Sequence, residues 1–411
     1  MNRLLSRVIL FAFLLVLFSS CLVANPATAF RLAFHGFVTP EFIHDSRQMV
    51  SGREGNVVLF PAGVVRDPGG ADLNAVPSTT FSLLSSRFGV TVDGPELFGA
   101  QTSALMEVDF LGTNTGNFSM VRMRHAYVRF DWETTMLLAG NYWHPLFVPE
   151  CFPATISFGA GAPYNILNRG QQLRLTQRSG GLTLSGILIS QNDYASTGPH
   201  GPDTRYLRNS GKPEIFGQMM FERGMFLAGG SAGYKWLRPR TVTTTGYRTT
   251  EEYGAFSGNL FARIRPGKTA IRIAGLYGKE MTHLVMLGGY GEATLIDPDR
   301  NIFSYAGTAV ISGWIDIDRN MSPFYIGLFC GYSKNLGTDK PITGEYWSRF
   351  RDVSHLYRLS PRAGIIRGKT SFNLELLYDV AAYGTPDETI SFSHTENATG
   401  IRALATIRYA F

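Results

Sequence analysis

Strict alternation of apolar and polar residues is the dominant pattern of this chain. In ATIRYAF, the last residues, Ile407, Tyr409 and Phe411 fall on one face of an extended strand, with Thr406 and Arg408 on the other. Upstream, Ile401, Ala403 and Ala405 continue the apolar face and Arg402 the polar one. A strand with an open edge is a liability, and pairing the last strand with the first removes it. Sixteen segments of this kind are read, at 31–45, 79–93, 100–112, 120–131, 134–142, 170–178, 181–191, 213–222, 225–237, 251–264, 269–280, 303–316, 323–334, 356–366, 369–380 and 400–411. Each is about as long as a tilted strand needs to be to cross a bilayer.

The predicted connections fall into two kinds. After even-numbered strands they are tight: Trp132-Glu133, Ser179-Gly180, Arg223-Gly224, 265–268 and Arg367-Gly368. After odd-numbered strands they are long, at 46–78, 142–169, 192–212, 238–250, 281–302, 335–355 and 381–399, with 113–119 the short exception. Tight turns at one end and long loops at the other are the layout of a bacterial outer-membrane barrel, turns periplasmic and loops outside. The expected fold is therefore all-β: a 16-stranded antiparallel transmembrane β-barrel, one domain over 30–411, its third loop folded inward.

The N-terminus sets the compartment. Arg3 and Arg7 precede an apolar core, Val8 to Leu17, too short to span a membrane comfortably, and Ala27-Thr28-Ala29 supplies a cleavage site. Residues 1–29 read as a secretory signal peptide. A rival cut exists at Phe18-Ser19-Ser20-Cys21, which would lipidate Cys21. With 45 glycines, 29 phenylalanines and 18 tyrosines in the full sequence, the composition suits strands that are apolar on one face only. The localisation expected is the outer membrane of a Gram-negative cell, with its lipids as partners. The net charge of +6, two of the positive charges lying in the leader, is too small to argue for nucleic acid. Cys151 and Cys330 do not make a disulfide framework.

A barrel of this size encloses a water-filled channel, so its inner face carries the argument about function. A charged side chain facing hydrocarbon costs several kcal/mol, so parity puts Glu107 and Asp109 inside, with Met106 and Val108 outside. The same parity turns Arg87, Arg122, Arg124, Arg174, Arg178, Arg263, Arg272, Arg358, Arg362 and Arg402 inward. Arg129 breaks the parity of Arg122 and Arg124 unless a bulge intervenes. The expected lumen is an arginine-rich wall with a few acids interleaved, and rings of arginine select anions. The bland alternative is that these arginines pair with acids and keep the lumen wet.

The third predicted loop, YWHPLFVPECFPATISFGAGAPYNILNR, is long, apolar and nearly uncharged. Outside the barrel it would be a sticky patch; folded inside, it narrows the channel. Its candidate constriction residues are Tyr142, Trp143, His144, Phe147, Phe152, Phe158, Tyr164 and Arg169.

The stretches LLAGNYWHPLF, PATISFGAGAP and NRGQQLRLT resemble the DcaP-like porins of Gram-negative bacteria, as do MEVDF, RMRHAYV and SRFGV. The resemblance covers 81–177 well and the rest mainly by layout. It implies a homotrimer of sixteen-stranded barrels, each a diffusion channel with an arginine-lined constriction, some members favouring dicarboxylates. It carries over Arg87, Arg122, Arg124 and Arg174 as constriction arginines. The chain departs from some members in lacking an N-terminal coiled-coil extension, and it has Asn141 where the pattern has Gln.

Other chemistry is weakly represented. His35, His44, His125, His144, His200, His283, His355 and His394 show no ligand spacing, so no metal site is expected. Asp297-Pro298-Asp299 reads as an acidic turn, and no clear Ser/His/acid arrangement is apparent, so no enzyme and no cofactor is expected. The function expected is passive diffusion of small anionic or neutral solutes. The alternative is a receptor or adhesin barrel, with loops such as 46–78 as its binding surface.

Overall fold

A computed structural model describes residues 30–411; the leader and the Cys21 alternative lie outside the described residues. The described chain is almost entirely strand. In chain order the barrel strands are β1 (Arg31–Val38 with Glu41–Asp45), β2 (Ser78–Ser82 with Arg87–Leu97), β3 (Ala100–Asp109), β4 (Arg122–Asp131), β5 (Thr135–Trp143), β6 (Arg169–Ser179), β7 (Leu182–Ile189) and β8 (Glu214–Arg223). They continue with β9 (Phe226–Leu237), β10 (Tyr253–Ile264), β11 (Thr269–Lys279), β12 (Ala309–Met321), β13 (Phe324–Asn335), β14 (Val353–Arg367), β15 (Thr370–Tyr383) and β16 (Glu396–Ala410). All sixteen run antiparallel to their neighbours. The ring closes through β1 and β16, with Asp45 opposite Arg402, Glu41 opposite Thr406 and Phe37 opposite Ala410.

Alternation sorts the side chains as a barrel requires. On β6, Leu173 and Leu175 are 48% and 56% exposed, whereas Arg174 and Thr176 are buried. At the C-terminus Ile407, Tyr409 and Phe411 lie on the outer face, half exposed. β1 breaks at Thr39-Pro40 because Pro40 has no N–H for the ladder. The neighbouring gap in β2 repairs the break: the Thr39 N–H donates to Ser86 Oγ at 3.0 Å, and Ser85 Oγ donates to Glu41 at 2.7 Å. Turns at one end are tight. Gly180 and Gly181, at φ 55° and 88°, supply the two positive-φ positions that a two-residue hairpin between β6 and β7 needs.

One predicted strand is displaced. The alternation over 303–316 combines two elements. Ile302–Gly307 pairs with Gly289–Asp297 in a small loop sheet completed by Tyr346–Ser348, and the wall strand β12 starts only at Ala309. Both are half-buried strands and share period two, so alternation does not separate them.

The lumen is less wet than a bare ring of this size would be. The loop after β1 folds back as a hairpin, Met49–Gly52 against Val57–Pro61, and Val57, Val58, Leu59 and Phe60 are buried. The loop between β5 and β6 enters the barrel and buries Leu146, Phe147, Val148, Tyr164 and Ile166. The loop after β11 adds Met281, Leu284 and Met286. These pack against inward-facing Ile187, Phe216, Phe261, Trp314 and Phe329 as one apolar cluster. Wall strands β7 to β15 therefore carry apolar side chains inward wherever a loop covers them.

Cys151 is buried in the third loop with Sγ 3.3 Å from the Ala262 carbonyl, and both described cysteines are free thiols.

Gly331 on β13 faces inward, and a Cβ there would lie 2.5 Å from Cγ of Tyr164. Gly331→Val is expected to displace the Tyr164 ring, at an overpacking cost of about 1–3 kcal/mol. The check is limited chymotrypsin digestion of the folded barrel, in which the third loop should be cut in the variant and protected in the parent.

Candidate functional site

Inward charge concentrates where β2, β3, β4 and β6 meet the third loop. The parity conflict on β4 is resolved by a bulge. Glu107 pairs with His125 but Val108 with Met123, leaving Arg124 as the extra residue. Arg122, Arg124 and His125 are consequently all buried inside, while Met123 and Val128 remain on the outer face. Beyond the bulge the register places Arg129 on the inner side, ion-paired to Asp131.

Arg122 grips Asp109 with two bonds, Nη2 to Oδ2 at 2.6 Å and Nε to Oδ1 at 2.9 Å, and reaches Asp193 at 3.0 Å. Arg124 binds Glu107 at 2.6 Å and Asp109 at 3.1 Å. Two loop-proximal arginines join them: Arg53 lies 3.3 Å and Arg169 3.3 Å from Asp193. Arg169 stacks over Trp143 at 4.5 Å, and its Nε and Nη1 are buried without a partner among the described residues. Arg87 makes no ion pair among the described residues; its guanidinium sits over Phe37 at 5.2 Å and Phe158 at 5.8 Å. Four guanidiniums (Arg53, Arg122, Arg124, Arg169) thus share three carboxylates (Glu107, Asp109, Asp193), and a fifth, Arg87, stands beside them without an ion pair among the described residues. Burial alone would raise Asp193, but Arg122, Arg169 and Arg53 overcome it and hold that carboxyl below the usual range.

The third loop lies against this cluster. The Phe158 ring is 5.7 Å from both Arg122 and Arg124, and Trp143 stacks on Phe147 with centroids 3.8 Å apart. Tyr142 and Trp143 belong to the end of β5 and Arg169 to the start of β6, so these three residues frame the loop rather than lie in it. Phe147 and Tyr164 are buried, and Phe152 is 38% exposed. His144 is buried beside Glu214, and burial pushes its imidazole down to about 4.

Wall side chains hold the loop's main chain. Asp316 accepts from the Ala154 N–H at 3.1 Å, and Glu375 accepts from the Ile156 and Ser157 N–H groups at 2.9 and 2.7 Å. Gln218 and Asn259 donate to the Pro145 and Leu146 carbonyls, each at 2.9 Å. Arg358 donates to the Ala162 carbonyl at 3.0 Å and to Leu59 of the first loop at 2.9 Å.

The other sequence-selected arginines are dispersed, most with a carboxylate. Arg358 pairs with Asp379 at 2.6 Å, Arg362 with Asp316 at 2.6 Å, Arg272 with Asp316 at 3.1 Å, Arg402 with Asp45 at 2.7 Å and Arg263 with Glu222. Among the described residues Arg174 hydrogen-bonds only neutral groups, Gln172 at 3.1 Å and the Trp143 carbonyl at 3.4 Å. Arg178 is half exposed, 3.9 Å from Asp131. The acids Asp45, Asp316, Asp379 and Glu375 share the inward parity of these arginines and were readable by the same rule. Arg53 and Asp193 sit in loops, where no periodicity marks them. His144 and His283 also converge on Glu214, although nothing in their spacing announces it.

The sequence matches no family model and no curated protein. Solved structures do match. The outer membrane channel DcaP of Acinetobacter baumannii superimposes with a TM-score of 0.67 at 13% identity, over 94% of this chain and 99% of that one. The anion-selective porin from Comamonas acidovorans gives 0.54 at 10% identity, over 93% and 100%. The trimer form of in-vitro folded OmpT of Vibrio cholerae gives 0.52 at 9%, over 93% and 100%. The fold is that of the outer-membrane porin barrels.

Arg358 joins the wall, the first loop and the third loop from a buried position. Arg358→Ala leaves Asp379 as an uncompensated buried charge, a change that costs about 3–5 kcal/mol. The expected outcome is a lower midpoint for the loss of the fast-migrating folded band on heating in SDS.

Proposed function

We propose that this chain is an outer-membrane porin that lets small hydrophilic solutes diffuse passively, with a preference for anions. The observation that carries the reading is the surplus of guanidiniums over carboxylates on the β2–β6 wall, opposite Phe158. Elsewhere the inward arginines are mostly matched by acids. Where they are not matched, the potential is positive, and a low-dielectric wall focuses it onto whatever passes. The third loop, anchored to the far wall by Asp316 and Glu375 and meeting the arginine cluster through Phe158, narrows the lumen. A solute with two carboxylates suits planar guanidinium forks, so dicarboxylates are the anions we favour. No energy coupling is invoked, since a gradient suffices. Assembly as a homotrimer accompanies this reading. The receptor alternative is disfavoured by the first loop, whose Val57–Pro61 strand is turned inward and buried.

Planar-bilayer recording under a salt gradient tests the proposal. The expected result is stepwise conductance with a reversal potential on the anion-selective side. Arg87→Ala and Arg174→Ala remove guanidiniums that have no carboxylate to strand, so each should fold and shift that potential towards zero. A folded, inserted protein without conductance would overturn the reading.

A further inference from the structure

A buried cluster at the outer end of the lumen has no role in the reading above. His144 opens the third loop, Glu214 is the first residue of β8, and His283 lies in a single helical turn, Thr282–Leu284, of the loop after β11. All three are buried, and one ligand atom from each lies within 4.8 Å of the other two. The two imidazoles converge on the same oxygen: His144 Nε2 is 3.5 Å and His283 Nε2 3.6 Å from Glu214 Oε2.

The hydrogen-bonding neighbours fix how the rings are protonated. The Leu146 N–H donates to Nδ1 of His144 at 3.3 Å, and Lys235 Nζ sits 2.7 Å from Nδ1 of His283. Each Nδ1 is an acceptor, so each Nε2 carries the proton and points at Glu214. Glu214 Oε2 thus receives two long N–H contacts, and Lys235 Nζ lies 3.5 Å from Nε2 of His283 on the far side of that ring. The other Glu214 oxygen accepts only a neutral amide bond, from Gln191 at 2.8 Å. Lys235 is already ion-paired to Glu280 and also donates to the Glu280 carbonyl at 2.8 Å. Two long N–H contacts and one amide are poor compensation for a carboxylate removed from water.

We propose that His144, Glu214 and His283 bind one divalent transition-metal ion of the zinc type. Two ligands each ~2.1 Å from a tetrahedral ion stand about 3.4 Å apart, close to the two histidine–carboxylate separations here, and the two imidazole ligand atoms, within 4.8 Å of each other, need only a small closing movement. Two imidazoles and one carboxylate are a familiar zinc donor set with a remaining position for water. Binding moves the proton of each ring from Nε2 to Nδ1, with no net proton gained or lost. At His283 that proton would face Lys235 Nζ, 2.7 Å away, so binding requires the ammonium to turn away from the ring, leaving Glu280 Oε2, now 3.8 Å from Nδ1, to accept it. Lys235 retains the oxygens of Glu280 and has Ser196 Oγ at 3.4 Å. The result is a carboxylate behind a metal-bound histidine, the outer-shell support such sites favour. At His144 the shift costs one 3.3 Å bond. The ion ties the root of the third loop to β8 and to the loop after β11.

The test is metal content. The mature chain is refolded in detergent with one equivalent of zinc sulfate, passed over gel filtration and assayed for zinc. About one zinc per chain is expected in the parent, and less than a tenth of that in His283→Ala and in Glu214→Gln, with His44→Ala, on the outer face, as an unaffected control. No zinc in the parent, or full retention in both variants as an adventitious surface ion would give, overturns the proposal. If the variants do not fold, cobalt(II) added to the parent decides the matter. Strong visible absorption of a four-coordinate ion supports the site, and its absence overturns it.

Discussion

A loop that runs through the inside of a barrel must find a partner for every backbone polar group it brings there, and this requirement organises the inner surface. The third loop leaves β5, passes the wall strands on the far side and returns to β6. Along that route the wall supplies acceptors where the loop presents N–H groups and donors where it presents carbonyls. Asp316 and Glu375 meet Ala154, Ile156 and Ser157; Gln218, Asn259 and Arg358 meet Pro145, Leu146 and Ala162. The side chains of the loop are apolar, so the wall between those polar anchors is apolar as well, with Phe216, Phe261, Trp314 and Phe329 turned inward. The loop's composition and the wall's composition are two halves of one packing problem.

The same requirement divides the charges. Where a loop lies on the wall, a lone guanidinium would be buried, so these arginines are held by acids: Arg358 by Asp379 and Arg362 by Asp316 beside the third loop, and Arg402 by Asp45 under the first. On the β2–β6 wall the loop presents aromatic faces instead of backbone. Phe158 of the loop and Trp143 at the end of β5 accept guanidiniums through their π faces, and that allows arginines to outnumber carboxylates there. The positive surplus is therefore confined to one side of the lumen by the placement of a single loop.

Much of this was legible in the sequence, and the reasons are specific. Period-two alternation marks wall strands because one face meets an apolar surround and the other does not, so β6 and β16 were readable to within a few residues. It failed at 302–307, where a loop hairpin is half buried against Tyr290 and Trp347 and alternates just as a wall strand does. Arg129 conflicted with Arg122 until the bulge at Arg124 was seen, since one inserted residue reverses parity without leaving a compositional trace. The inward arginines were readable, as were Asp45, Asp316 and Asp379, which share their faces. Arg53 and Asp193 were not, because their positions depend on how two long loops fold over the mouth. His144 and His283 are far apart in sequence and meet only because the third and sixth loops both descend into the lumen.

Three independent fixings hold the third loop: ion-paired wall groups at its middle, the apolar cluster along its length, and Trp143 stacked on Phe147 at its start. A segment held at so many points does not swing as a lid, because releasing any one anchor exposes a buried charge or an orphaned backbone group while the others still hold. The arginines without an acid partner among the described residues are held by other means: Arg87 lies over Phe37 and Phe158, and buried Arg174 bonds Gln172 and the Trp143 carbonyl. Two kinds of arginine are thereby separated in the structure: those paired with acids, such as Arg358 and Arg362, border the third loop on the far wall, and those held by aromatic faces and neutral groups lie on the β2–β6 wall.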